Sequence, residues 1–105
     1  MATATTAPLR GGGFLLGTSD PSDVFTPEQR TDEHRMIGQT VRGFVNGEVL
    51  PVLEQLEAKD WTLNRDLMKR GAELGIMGAD VAEQHGGLAL DKVSSVVISE
   101  EISLS

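Results

Sequence analysis

Apolar residues recur along the chain with the period of a helix, most clearly in a first predicted helix. Two start signals precede its apolar residues: a capping box at residues 26–29, with Pro27 at the first helical position, and a second start at 31–33. We expect this helix to run to about Val49 and to break or bend at Pro51, followed by a short turn of helix at 52–57. Its apolar face has the spacing i, i+4, i+7, i+8, i+12 and consists of Ile37, Val41, Phe44, Val45 and Val49.

A second helix is predicted between residues 62 and 74. Thr62 or Asn64 is expected to cap its start, and Gly75 stands just past its end, where a left-handed residue closes a helix at low cost. The lone tryptophan, Trp61, is interpreted as a wedge between helices. The apolar stripe consists of Leu63, Leu67, Met68, Ala72 and Leu74.

A third helix is predicted from Lys92 onward, with Asp91 as its cap. The β-branched run at 96–98 would by itself suit a strand. Ser94 and Ser95 break the alternation that a strand needs, so we interpret the segment as helix. The expected apolar face consists of Val93, Val96, Val97 and Leu104.

These elements predict an all-α fold with two parts. Residues 1–25 lack helical periodicity and are expected to form a flexible arm, and residues 26–105 to form a helical domain. The glycines at 11–13 suggest a phosphate loop, but the lysine that such a loop needs is missing. The last residues, 102–105, contain no helix stop signal, so we expect the chain to be the N-terminal part of a longer protein.

Charge and composition exclude several classes of function. The net charge of −7 argues against a nucleic-acid partner, and no apolar run reaches the ~20 residues that span a bilayer. There is no cysteine, so a disulfide framework and a thiolate metal site are both excluded.

Candidate chemistry is sparse. His34 and His85 lie 51 positions apart, so neither has a metal-ligand partner at helical spacing. The adjacent carboxylates at 100–101 point in different directions on a helix and are expected to face solvent or another domain. The double glycine at 86–87 is interpreted either as a tight turn or as backbone that presses against another domain. No catalytic, cofactor-binding or metal-binding residue is assigned.

The strongest sequence feature is the segment 73–78, which reads ELGIMG, followed by 83–88, which reads EQHGGL. Together with 25–28, 59–61 and the arm, it resembles the acyl-CoA dehydrogenases, in particular their long-chain branch. The resemblance covers residues 24–105 and implies the N-terminal helical domain of that fold, truncated before its β-domain. One departure is Ala82, where the family usually has proline.

The resemblance implies that the parent protein is an FAD-dependent acyl-CoA dehydrogenase that desaturates fatty acyl-CoA at the α and β carbons. It implies an electron acceptor, a homo-oligomer, and a cytoplasmic location, or the mitochondrial matrix if the source is eukaryotic. The base and the flavin contacts of the family lie in later domains, so the chain alone is expected to be inactive and to bind no FAD. Two alternatives stay open: a stand-alone acidic helical module that binds a protein, and a flavin oxidase of the same fold.

Overall fold

The computed structural model describes residues 12–18 and 20–104 and divides the chain into two units, Met1–Arg30 and Thr31–Ser105. The described part of the first unit contains three single turns of 3-10 helix, Gly13–Leu15, Pro21–Asp23 and Pro27–Gln29. The capping box at Thr26 forms as predicted, but it starts only the last of these turns. The turn does not propagate because the backbone leaves the helical region at Arg30, with ψ of 133°. Residues 1–11, which hold part of the predicted arm and Gly11 of the triple glycine, lie outside the described residues.

The second unit is helical. Its α-helices are α1, Asp32–Phe44; α2, Leu53–Glu57; α3, Trp61–Glu73; and α4, Lys92–Ser103. A π-helical turn, Val45–Val49, and a 3-10 turn, Leu50–Val52, connect α1 to α2, and a further 3-10 turn, Glu83–His85, precedes α4. The described residues contain no β-strand. The all-α prediction is confirmed, including the helical state of residues 96–98.

The first helix begins at the second predicted start signal and changes geometry before its predicted end. The Thr31 hydroxyl accepts a hydrogen bond from the backbone N–H of His34, so α1 begins at Asp32. Helical backbone reaches Val49 as predicted, but the last five residues form a wider turn in which the Leu50 N–H bonds to the Val45 carbonyl. Pro51 explains the change, because it has no N–H to donate and its ring clashes with the carbonyl four residues earlier.

The predicted caps of the second helix were wrong. Asp60 caps α3, because its carboxylate accepts a hydrogen bond from the Leu63 N–H at 3.1 Å, and the helix therefore begins at Trp61. Trp61 is 67% exposed and is not a wedge between helices. It lies in the first turn, about 120° around the helix from the buried Leu67. At the other end Gly75 has φ of +82°, which confirms the predicted left-handed closure.

The core lies where α1 packs against α4 and the segment that follows α3. Gly38 on α1 lets α4 approach closely, since a Cβ at this position would come within 3.2 Å of the Val97 side chain. The buried apolar cluster consists of Val41, Val45, Ile76, Ala79 and Ile98, with Ile37, Phe44, Val49 and Leu90 packed against it.

The buried face of α4 differs from the predicted one. Val97 is buried as expected, but Val96 is 59% exposed and Leu104 is 71% exposed. Ser94 and Ile98 are buried in their place. A serine is tolerated there because its hydroxyl donates a hydrogen bond to Asp91 at 2.8 Å, so its burial leaves no unpaired donor.

Candidate functional site

Residues 74–91, which connect α3 to α4, form a loop that we call the glycine loop. Two of its glycines, Gly75 and Gly86, have φ of +82° and +84°, a conformation that other residues adopt only with strain. A Cβ at Gly75 would also collide with the side chain of Leu88. The loop therefore needs glycine at position 75 for its backbone conformation, because the overlapping atom of Leu88 is the end of a half-exposed side chain that can shift.

The second half of the loop folds back onto the first through backbone hydrogen bonds. The N–H groups of Leu88, Ala89 and Leu90 donate to the carbonyls of Gly78, Val81 and Ala79, at 3.0, 2.8 and 2.7 Å respectively. Residues 79–81 form a turn, in which the Val81 N–H donates to the Gly78 carbonyl. The carbonyls of this turn accept the N–H groups of the returning chain.

Gly87 is where the two halves come closest. A Cβ on Gly87 would overlap the carbonyl group of Val81, and the Cα of Gly87 lies within 3.7 Å of a Cβ built on Gly78. The expected tight turn is present, and the close backbone approach is to another part of the same loop.

The folded loop borders a groove of about 490 Å³. Three large apolar side chains around it, Leu74, Met77 and Leu88, are each about half exposed. A smaller, more apolar cavity of about 140 Å³ lies between α1 and the loop, next to Met36, Thr40 and Leu90. Exposed apolar side chains around a concave backbone surface are typical of a binding or packing site.

The end of the loop is joined to the start of α1 through a buried imidazole. His34 is 5% exposed, and its Nε2 lies 2.9 Å and 3.1 Å from the two carboxylate oxygens of Asp91. The Asp91 carboxylate also accepts the backbone N–H of Ser94 at 2.8 Å, so it caps α4 as predicted. This cap, then the Ser94 hydroxyl and the contact with His34, lower the pKa of Asp91 below its ordinary value.

Of two further ion pairs, one joins the glycine loop to α4 and the other joins α1 to α4 at the end away from the loop. Lys92 donates to Asp80 at 2.7 Å, which lowers the pKa of the Asp80 carboxyl. Arg42 on α1 donates two hydrogen bonds to Glu101 on α4, at 2.7 and 2.9 Å, and this pairing raises the pKa of Arg42. The Glu101 side chain is only 11% exposed, so it faces α1, whereas we expected solvent or another domain.

The described residues offer little catalytic chemistry. No group of three or more His, Cys, Asp and Glu side chains comes together there to hold a metal ion. His85 is exposed and lies 3.2 Å from the Gln84 side chain, and Ser94 is buried under the α4 cap. The glycine loop therefore contributes shape and apolar surface. None of the described helices is long and apolar enough to cross a bilayer.

Sequence reasoning missed the role of His34. Its partner Asp91 lies 57 residues away, so no local pattern joins the two. The sequence does place each residue at the start of a helix, since His34 is the third residue of α1 and Asp91 is the cap of α4. This shared position was the available signal.

Comparison with known proteins gives a consistent result. The family described as "Acyl-CoA dehydrogenase, N-terminal domain" matches residues 31–105. A "Probable acyl-CoA dehydrogenase" of Bacillus subtilis is 43% identical over 94 residues, covering 90% of this chain and 16% of that protein. The "Long-chain specific acyl-CoA dehydrogenase, mitochondrial" of Rattus norvegicus is 35% identical over 75 residues, covering 71% and 17%.

A solved structure matches to the same extent. The crystal structure of an acyl-CoA dehydrogenase complexed with FAD from Bacillus anthracis has a TM-score of 0.84 and 46% identity, covering 91% of this chain and 16% of that one. The chain thus spans about a sixth of the length of these relatives, and the likeness shows a shared helical domain.

Proposed function

This chain belongs to the acyl-CoA dehydrogenase family, and from that premise we propose that it serves as the N-terminal helical domain of an FAD-dependent enzyme that oxidises fatty acyl-CoA to the trans-2-enoyl-CoA. The observation that carries the proposal is the family match over residues 31–105, with 91% of the chain similar to a solved acyl-CoA dehydrogenase complexed with FAD. The resemblance to the long-chain branch makes a long acyl chain the proposed substrate.

FAD, when bound, would accept the hydride that leaves the β-carbon. The described residues of this chain do not fit a flavin site of their own. Near the glycine loop the cation Lys92 is paired with Asp80, and the groove is bordered mainly by apolar side chains and glycine backbone. We therefore assign the flavin and the base that takes the α-proton to other domains of the parent enzyme.

The contribution of this chain is to shape the acyl pocket and to exclude water from it. We propose that α4 and the glycine loop form one wall near the acyl pocket, where half-exposed side chains such as Met77 and Leu88 offer apolar contact. We further propose that the parent is a homo-oligomer that passes its electrons to a separate acceptor, and that it works in the cytoplasm.

The test uses the full-length protein, in which this domain is joined to the remaining domains of the family. The purified, flavin-loaded protein is mixed with palmitoyl-CoA under anaerobic conditions, and we expect the flavin absorbance to bleach as the flavin is reduced. A series of saturated acyl-CoA substrates from about four to twenty carbons gives the chain-length preference, and a 2-enoyl-CoA serves as the unreactive control. Absence of bleaching across the whole series would refute the proposed function.

A further inference from the structure

The starts of two helices meet at one buried ring. The Nδ1 atom of His34 accepts a hydrogen bond from the backbone N–H of Thr31 at 3.1 Å, which completes the capping box of α1. Its Nε2 atom lies within 3.1 Å of both carboxylate oxygens of Asp91, the cap of α4. One side chain thus takes part in the caps of both helices.

These contacts fix where the proton of the imidazole lies. Because Nδ1 accepts a backbone N–H, its lone pair is in use and it carries no hydrogen. The hydrogen of the neutral ring is therefore on Nε2, from which it is donated to the Asp91 carboxylate. A ring held at both nitrogens and 5% exposed is oriented by its surroundings.

Asp91 is also the last residue of the glycine loop. Its bonds to Ser94 are local and fix only the start of α4. The bond to His34 joins this point to α1, 57 residues earlier in the chain. At the far end of the two helices, Arg42 and Glu101 make the corresponding link.

We propose that His34 is a positioning residue for the parent enzyme: it holds the end of the glycine loop and the start of α4 against α1, and so sets the wall that we assign to the acyl pocket. The proposal rests on the proposed function in its last step. The hydrogen bonds by which one tautomer of His34 joins the two caps do not depend on the proposed function.

Two variants separate this role from simple filling of space. His34→Ala removes both hydrogen bonds. His34→Gln keeps the chemistry, because the amide oxygen can accept the Thr31 N–H, as glutamine does in a capping box, while the amide nitrogen donates to Asp91. Arg35→Ala is the matched control, since Arg35 is the next residue on α1 and makes only an exposed pair with Asp32.

The first measurement is steady-state oxidation of palmitoyl-CoA by the flavin-loaded full-length variants. We expect His34→Ala to lower kcat/KM about tenfold, because small displacements of positioning groups are costly to rate. His34→Gln should stay within about threefold of the wild type, and Arg35→Ala within about twofold. Equal activity of His34→Ala and the wild type would overturn the proposal, and so would a glutamine variant no better than alanine.

The second measurement does not depend on activity. In the full-length protein with 15N-labelled histidine, the resonances that disappear in His34→Gln are those of His34. In the wild-type spectrum these resonances should show an unprotonated Nδ1 and a protonated Nε2. Amide hydrogen exchange of residues 88–98 should be faster in His34→Ala than in the wild type and unchanged in Arg35→Ala. A protonated Nδ1, or unchanged exchange in His34→Ala, would overturn the proposal even if His34→Ala folds poorly. If the wild type shows the expected tautomer and amide hydrogen exchange but no flavin bleaching, the proposed function is refuted and the role of His34 in joining the two caps is not.

Discussion

The substitution Gly87→Ala tests whether the glycine loop is held by close backbone contact. The added Cβ would overlap the carbonyl of Val81, which cannot move freely because it accepts the N–H of Ala89 at 2.8 Å. The neighbouring bond from Leu88 to the Gly78 carbonyl would be displaced with it. Two backbone hydrogen bonds at ~0.5–1.5 kcal/mol each, with ~1–3 kcal/mol for overpacking, give a destabilisation of about 2–6 kcal/mol.

Gly86→Ala is the matched control at the adjacent position. No atom lies within 4 Å of a Cβ built on Gly86, so this change adds no steric clash. Its cost is the left-handed backbone at φ of +84°, about 1–2 kcal/mol for a residue with a Cβ. The two variants therefore separate a steric cost from a conformational cost at neighbouring positions.

The assay is urea unfolding of the 105-residue chain, followed by far-UV circular dichroism. A helical unit of this size rarely has more than ~3–5 kcal/mol of stability, so we expect Gly87→Ala to lose most of its helical signal without denaturant. Gly86→Ala should remain helical with a lower urea midpoint. If Gly87→Ala unfolded at the same urea concentration as Gly86→Ala, or at a higher one, the assigned contact with Val81 would be wrong.

Three further predictions concern the loop, the α4 cap and the flavin. Ala82→Pro should stabilise the full-length protein by ~0.4–1 kcal/mol, since Ala82 already has φ of −60°, which suits proline; a lower melting temperature would contradict this. Because hydrogen bonds lower the pKa of Asp91, its contribution to stability is complete above the ordinary carboxyl pKa of 3.8 and is lost as the pH falls through the lower folded value. Between about pH 5 and pH 2 the urea midpoint of the wild type should therefore fall more than that of Asp91→Asn, and equal falls would count against the assignment. The 105-residue chain should show no saturable binding of FAD in a fluorescence titration, whereas saturation at micromolar FAD would show a flavin site that we have not assigned.

Because no catalytic residue is assigned among the described residues, we expect the glycine loop and the His34 contact to affect the reaction of the parent enzyme through the position of the backbone. The ion pair Arg42–Glu101 joins α4 to α1, and the ion pair Asp80–Lys92 joins the glycine loop to the start of α4. We expect substitutions in these contacts to act on the parent enzyme by displacing the wall near the substrate. Their effect on rate would then follow the displacement and not the chemical character of the replaced group.

The signals that the sequence carried correctly are local ones. The second helix start at 31–33, the left-handed Gly75 and the cap at Asp91 all depend on atoms within four residues of one another. The effect of Pro51 on the preceding turn is equally local, because the missing N–H and the ring act on the carbonyl four residues earlier. The all-α fold follows from such signals together with the apolar spacing of the first helix. The same local order of glycines also carried the family resemblance that the comparisons confirmed.

Only the tertiary structure decided which face of each helix is buried, because that depends on how the helix is rotated about its axis. A helix with several small or β-branched residues, such as α4, has more than one face that could be buried. Gly38 and the satisfied hydroxyl of Ser94 select the face that packs, which left Val96 exposed. The pairing of His34 with Asp91 joins residues 57 positions apart, and a single sequence holds no spacing rule for such a distance. Local hydrogen bonding therefore determined where the helices begin and end, and long-range packing determined which side chains they bring together.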